Sequence, residues 1–315
     1  MNTYSVPILF IIFNRLDIAC KSFEEIKKVK PKKLYIASDA ARENKEGEQE
    51  VVDKTRKTIL NAIDWDCEVK TLFQEKNLGC GIGVYTAINW LFQNEDKGIV
   101  LEDDCIVDQS FFTYVEEMLN KYENDTRIGM IAGTNPIEPK RYMCKHSYLF
   151  SKYKSCWGWA TWRRAWSNME IDMKWLNEYK DFVIHNAGYQ SKDTDGWKYK
   201  LKCIDNNYVS AWDWQWYLTL AAQNQLCIYP QINLVSNIGN DENATHTSFS
   251  SITYEKQTLT TPFTHPKYVV PDCYFDYYFY KNSNTLRIRL LRLLPFGIKS
   301  YIKSIISKIQ KICQK

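Results

Sequence analysis

The chain lacks several signatures that would have settled its class at once. Its ten cysteines form no Cys-x-x-Cys pair and show no Cys/His zinc spacing, which excludes a zinc ribbon or finger. Scattered thiols of this kind suit a reducing cytoplasm. The N-terminal segment MNTYSVPILFIIFNR has no basic n-region, and its apolar run is too short to span a bilayer, so neither a signal peptide nor a membrane-spanning helix is expected. Neither GxGxxG nor GK[ST] occurs. The stretch GCGIG, residues 79–83, reads GxGxG instead, and a tight turn before a helix is favoured over a phosphate loop. Internal repeats, low-complexity segments and a linker are also missing. One domain is therefore expected from a length that suits one large α/β domain or two smaller ones.

Acids are absent from Lys281 onward, where nine lysines and arginines occur. The whole chain carries +4 and this stretch +9, so the remainder carries −5; tail and body have different jobs. Within the tail, Ile298, Tyr301, Ile302, Ile305, Ile306, Ile309 and Ile312 recur at spacings of three and four, with lysines off that face. The shorter TLRIRLLRLL precedes it. Residues 284–315 read as basic amphipathic helices for an anionic membrane surface, or as a stripe packed on the body or a second subunit. With basic residues confined to this tail, nucleic-acid binding is not expected.

What is abundant is aromatic: 21 Tyr, 14 Phe and 11 Trp. Such a surplus serves a large aromatic core, or stacking on rings and sugars. Four tryptophans crowd SCWGWATWRRAW (Trp157, Trp159, Trp162 and Trp166). Arg163 and Arg164 beside them would contact phosphates or be solvated. Two more tryptophans, Trp212 and Trp214, flank Asp213 in SAWDWQWYLTLAAQNQ. That segment has helical spacing, so Asp213 is either an N-terminal cap or a general base between aromatic walls.

Hydrophobic patterning predicts alternating strands and helices. VPILFIIFNR is a strand, and LDIACKSFEEIKKVK a helix ended by Pro31. KKLYIASDAA is a strand ending at Asp39; residues 42–57 are an exposed loop and helix. CEVKTLFQE is a strand, GCGIGVYTAINWLFQ a helix with a glycine-rich start, and GIVLEDD a strand ending at Leu101. QSFFTYVEEMLNKYEN is a helix and IGMIAGTN a strand. Pro230 is expected to open a later strand, and Gly239 and Asn240 to mark a loop. The class is α/β with a mostly parallel sheet and helices on both faces. Polar residues gather at the C-terminal strand ends, where such sheets bind ligands: Asn14-Arg15, Asp39 and Glu102-Asp103-Asp104. The last group is three adjacent acids between two apolar segments. It is a solvated acidic turn, or a site where Mn2+ or Mg2+ meets carboxylate oxygens and a diphosphate.

The ordered set of strand–Asn-Arg, strand–Asp, LEDD, WGWATW, AWDWQW and NLVSNIG…ENATHT resembles bacterial GT-A-fold nucleotide-diphospho-sugar glycosyltransferases that build surface polysaccharide, over roughly residues 4–280. The LEDD…FF segment is also similar to the N-acetylglucosaminyltransferase I group, which carries Glu-Asp-Asp as its DxD motif. The resemblance implies a GT-A domain over 1–280, with donor half about 1–140 and acceptor half about 141–280. It implies that Asn14, Arg15 and Asp39 hold the nucleoside of a UDP-sugar, that Glu102 and Asp103 contact donor sugar and ribose, and that Asp104 ligates Mn2+ or Mg2+. Asp213 matches the base of inverting members. Trp157, Trp159, Trp212 and His246 fall to acceptor contacts or a lid. The implied partners are a nucleotide-diphospho-sugar and a glycan or lipid-linked acceptor, at the inner face of the cell membrane. The segment NLGCGIG has no counterpart in the N-acetylglucosaminyltransferase I group, which leaves the donor sugar open.

Two other classes are weighed against this one. A non-catalytic carbohydrate or sugar-nucleotide binding protein would keep the aromatics but need neither metal nor Asp213. A nucleotidyltransferase would need a glycine-rich loop directly after the first strand, and FNRLD has no glycine.

Overall fold

The structure is a computed structural model that describes residues 4–189, 193–239 and 254–294. The first half alternates as expected: β1 (Ile8–Ile12), α1 (Leu16–Val29), β2 (Lys33–Ser38), α2 (Glu48–Asn61), β3 (Glu68–Phe73), α3 (Gly79–Asn94) and β4 (Lys97–Glu102). Short local rules set these limits. In α1, Ala19, Phe23 and Ile26 share the buried face, Asp17 lies in the first turn and Lys27-Lys28 in the last, which suits the helix dipole. Lys30 adopts a left-handed conformation after the last turn, and Pro31 follows.

Strands β1 to β4 pair in parallel in the order β3-β2-β1-β4. The chain steps outward from β1 to β3, then returns to the other side of β1. The reversal opens a crevice at the C-terminal ends of β1 and β4. It also switches the covering face. Ile8, Phe10 and Ile12 of β1 join a core with Phe23 of α1 and Ile59 of α2, whereas Leu9 joins Val84, Ile88 and Leu91 of α3. The expected α/β class, a mostly parallel sheet with helices on both faces, is what the chain forms.

Past β4 come β5 (Cys105–Val107), α4 (Gln109–Lys121), β6 (Ile128–Ala132), β7 (Tyr148–Ser151), β8 (Trp159–Trp162) and α5 (Arg163–Trp166). Next are α6 (Leu176–Asn186), α7 (Thr194–Asp205), α8 (Asp213–Ala222), β9 (Leu226–Pro230), β10 (Val235–Asn237), α9 (Cys273–Ser283) and α10 (Leu286–Leu293). The sheet continues β4-β8-β6-β9-β7, with β8 antiparallel to both neighbours and β7 antiparallel to β9. Pro230 closes β9 and does not open a strand. It is the last residue of β9, opposite Tyr148 of the edge strand β7. Strand β4 runs one residue past Leu101, through Glu102.

The tryptophan-rich segment supplies an interior strand. Trp159 and Trp162 of β8 are 0% and 2% exposed and point to opposite faces of the sheet. Trp159 stacks on Trp212, with ring centres 5.7 Å apart, and Trp212 is itself buried. Both were candidates for acceptor contact, and the fold makes them core. Each ring buries a large apolar area between β8 and α8. Arg163 and Arg164 serve the fold too. Arg163 pairs with Asp96 at 2.9 Å, and Arg164 donates to the carbonyls of Tyr122, Glu123 and Ile128.

Candidate active site

The C-terminal ends of β1 and β4 lie side by side, with Ile11 opposite Glu102. Past them, Arg15 Nη1 stands 3.6 Å from Asp104 Oδ2. The turn bearing Asp104 is fixed by the two-stranded ribbon β5–β10, in which Asn237 lies opposite Cys105. Asn237 Nδ2 donates to Asp104 Oδ1 at 3.0 Å, and the Ile238 amide donates to the Asp104 carbonyl at 2.9 Å. Gly239 lies so close that a Cβ there would overlap Asp104 Oδ2. The Ser22 hydroxyl, from α1, donates to the Asp103 carbonyl at 2.7 Å. Two sequence-distant segments, LEDD and NLVSNIG, thus form one wall.

Asp39 lies across the crevice, at the end of β2. Its carboxylate accepts the amides of Ala40, Leu78 and Gly79 at 2.9–3.0 Å. It therefore anchors the start of α3. Asn14 turns away from the acids: its Nδ2 donates to Glu48 Oε1 at 2.8 Å, and Glu48 also pairs with Arg42. Arg42 and Asn14 hold the Glu48 carboxyl down at about 2.

Asp213 is the first residue of α8 and is half-buried. The first turn of α3 connects it to the other acids. Burial pushes the Cys80 thiol up to about 12, helped by Glu102, Asp213, Asp104 and Asp39. All four carboxylates therefore lie close enough to act on this thiol. Glu102 is raised well above the carboxylate range by burial, then by Asp104, Asp103 and Asp213, against the pull of Arg15. Burial also raises Asp104, while Arg15, the Cys105 thiol and Asn237 pull it back. Like charges gathered out of water disfavour ionisation, so the cluster has an appetite for positive charge.

A divalent cation fits that donor set in kind. Carboxylate oxygens are hard ligands, and Mn2+ or Mg2+ takes one or two of them with phosphate and water completing the shell. Among the described residues no three His, Cys, Asp or Glu groups converge to enclose a metal. The fit is to an open site in which Asp104 would supply a ligand and a substrate others.

Of the remaining expected site residues, Trp157 is half-buried and lines a cavity of about 290 Å3 that also reaches Asp213. His246 lies outside the described residues. Several residues of this region were assigned no part from the sequence: Cys80 and Gly81 at the hub, Ser210 before α8, Asn237 beside Asp104, and Lys154, Lys200 and Arg292 around the cavity. Cys80 and Gly81 fell within NLGCGIG, Ser210 within SAWDWQW and Asn237 within NLVSNIG, but no role was read for any of them.

No family model matches the chain, and no curated protein matches it. Among solved structures, it is similar to a mannosyltransferase from Pyrobaculum calidifontis in complex with GDP-Man and Mn2+. That match has 11% identity and a TM-score of 0.38, covering 69% of this chain and 73% of that one. An inositol-1-phosphate CTP transferase from T. maritima matches at 12% identity and a TM-score of 0.31, covering 55% and 81%. A 4-diphosphocytidyl-2C-methyl-D-erythritol synthase from Anaerococcus prevotii matches at 9% and 0.34, covering 55% and 76%. At these identities and scores the likeness assigns no activity. It does not bear on the likeness to the N-acetylglucosaminyltransferase I group.

Proposed function

We propose that this chain is a metal-dependent, inverting glycosyltransferase. It moves a sugar from a nucleotide-diphospho-sugar, taken to be a UDP-sugar, to a glycan or lipid-linked acceptor in surface polysaccharide synthesis. The observation that carries this reading is that Glu102, Asp104 and Asp213 all bear on the Cys80 thiol in the first turn of α3, at the reversal of strand order. An acid cluster that disfavours its own charge needs a cationic partner, and a lone carboxylate beside it suits a base.

Each residue then has a part. Asp213 takes the proton of the acceptor hydroxyl as that oxygen attacks the anomeric carbon from the face opposite the nucleotide. With one base and no second carboxylate cast as nucleophile, the sugar inverts. Asp104 would hold Mn2+ or Mg2+, and the metal would supply charge neutralisation at the diphosphate leaving group. Arg15 adds positive charge at the same end. Glu102 and Asp103 accept hydroxyls of the donor sugar and ribose. Asp39 fixes the first turn of α3 and meets the nucleoside through lone pairs that its three amide partners leave. Asn14 acts through Glu48, holding the loop after β1. Trp157 offers a ring face to the acceptor.

The test is a thermal-shift panel of nucleotide sugars with and without Mn2+, followed by transfer assays on any hit. A UDP-sugar should raise the melting temperature only with metal. Asp104→Asn should abolish that metal dependence in calorimetry. Asp213→Asn should leave donor binding intact and cut transfer by about 10²- to 10⁴-fold. Wild-type turnover in Asp213→Asn would remove the base assignment. Donor binding with no transfer to any acceptor would favour a sugar-nucleotide binding protein.

A further inference from the structure

The cavity beside Asp213 is bordered by the 153–157 segment, α7, α8 and the α9–α10 region. Three cations line it: Lys154, Lys200 and Arg292. Of the two acids in its wall, Asp193 is already engaged by the Tyr153 hydroxyl, the Tyr189 amide and Asn284 Nδ2. The other is Asp213. Arg15, Asp39 and the acid triplet are absent from the lining, so Asp213 alone belongs to both regions.

The two lysines are costly where they stand. Lys154 is 8% exposed; its ammonium donates to the Lys152 carbonyl at 2.5 Å and lies 4.7 Å from the Tyr217 ring centre. An ammonium has three donors. The Lys200 ammonium lies 4.1 Å from the Trp197 ring centre and 5.3 Å from that of Trp214. Among the described residues neither forms an ion pair with a carboxylate. Burial pushes both ammonium groups down to about 8. For Lys154, Cys227 and Asp276 pull upward; for Lys200, Asp213 and Asp193 pull upward while Arg292 pushes further down. Arg292 is oriented by Asn284, whose Oδ1 accepts from Nη1 at 2.6 Å. Three cations held around a void, with aromatic rings between them, match an anionic ligand that also has an apolar face.

We propose that this cavity is a subsite for an anionic group of the acceptor, a phosphate or a carboxylate, held by Lys154, Lys200 and Arg292 while a neighbouring hydroxyl faces Asp213. The word acceptor rests on the glycosyltransferase reading; the anion site itself does not. Membership of Asp213 in both regions is what links them.

The test is calorimetry on the full chain with inorganic phosphate, D-glucuronate and neutral D-glucose, without divalent metal. UDP with Mn2+ is titrated in parallel. Phosphate or glucuronate should bind saturably, and glucose should not. Lys200→Met and Arg292→Gln, each checked for an unchanged melting temperature, should weaken anion binding on the order of tenfold or more. Arg15→Gln, at the donor end, should leave it unchanged. Tighter phosphate binding identifies a phosphorylated acceptor, and tighter glucuronate binding an acidic sugar. Absence of saturable binding by either anion, or loss of it in Arg15→Gln alone, would overturn the subsite. Failure of UDP to bind, with anion binding still dependent on Lys200, would sink the glycosyltransferase reading and leave the anion site standing.

Discussion

The amide of Gly81 donates to the hydroxyl of Ser210 at 2.9 Å, joining two residues 129 positions apart. Gly81 lies in the first turn of α3, the turn that Asp39 anchors; Ser210 lies three residues before Asp213. The start of α3 and the segment leading into α8 are thus held in register by one close contact. A Cβ on Gly81 would come within 2.8 Å of Ser210 Oγ and 3.1 Å of the Ala211 carbonyl oxygen.

Gly81→Ala should therefore slow the reaction. Alanine gains up to about 1 kcal/mol of helix propensity, while overpacking costs about 1–3 kcal/mol; net destabilisation is a melting temperature lowered by a few degrees. The 210–213 segment must move by tenths of an ångström, and positional errors at a reacting group are expensive. We expect kcat to fall about tenfold with donor affinity nearly unchanged. Adding Ser210→Ala removes the nearer contact and should restore part of the rate. An unchanged kcat in Gly81→Ala would mean that α3 does not position Asp213.

Trp159 and Trp157 lie two residues apart and should behave differently. Trp159 is core, so Trp159→Ala should cost about 3–5 kcal/mol in denaturant unfolding. Trp157 borders the cavity and is half-buried. Trp157→Ala should cost less stability and raise the acceptor KM. Equal losses of stability with no KM effect would assign both rings to packing.

The contrast marks what the sequence could carry. The strands from Ile8 to Glu102 were legible because their apolar runs and turn residues are local signals. The polar residues at their ends followed from the strand limits. Whether Trp159 and Trp212 face a sugar or a core is not local. It depends on β8 inserting between β4 and β6, a long-range pairing, and indole serves both uses equally well. Gly81 of NLGCGIG had its cause in Ser210, far along the chain. Arg292 was hidden differently: its basic, leucine-rich surroundings read as membrane tail, yet it lines the cavity beside Asp213.

Glu48 makes an acid-sensitive tie. Its carboxyl is held at about 2, against 4.5 when unperturbed, by Arg42 and Asn14. A folded-state value below the unfolded one adds stability that is complete above about pH 4.5 and is lost as pH falls towards 2. Glu48→Gln should thus destabilise the protein at neutral pH by about 1–2 kcal/mol, the lower part of the range because Arg42 is half exposed. The difference from wild type should shrink as urea unfolding is repeated at lower pH. A difference that stays constant from neutral pH to pH 3 would remove Glu48 ionisation as its cause.

The C-terminal region presents a surface that suits the proposed membrane role. Among the described residues no helix is long and apolar enough to cross a membrane. On α10, Leu286, Leu290 and Leu293 are 72%, 55% and 80% exposed, and their spacing of four and three puts them on one side of the helix. The Ile stripe of residues 298–312 lies outside the described residues. Because Arg292 lines the cavity, a clean truncation ends at Leu294 rather than at residue 283. The full chain should co-sediment with phosphatidylglycerol vesicles and much less with phosphatidylcholine. Deleting 295–315 should weaken that binding, and replacing the three leucines by asparagine in the truncated chain should weaken it further. Raising salt from about 0.1 M to 1 M shortens screening from about 10 Å to 3 Å, so the basic contribution should fall and the leucine contribution persist. Undiminished sedimentation of the truncated, leucine-free chain would place any membrane contact elsewhere on the body.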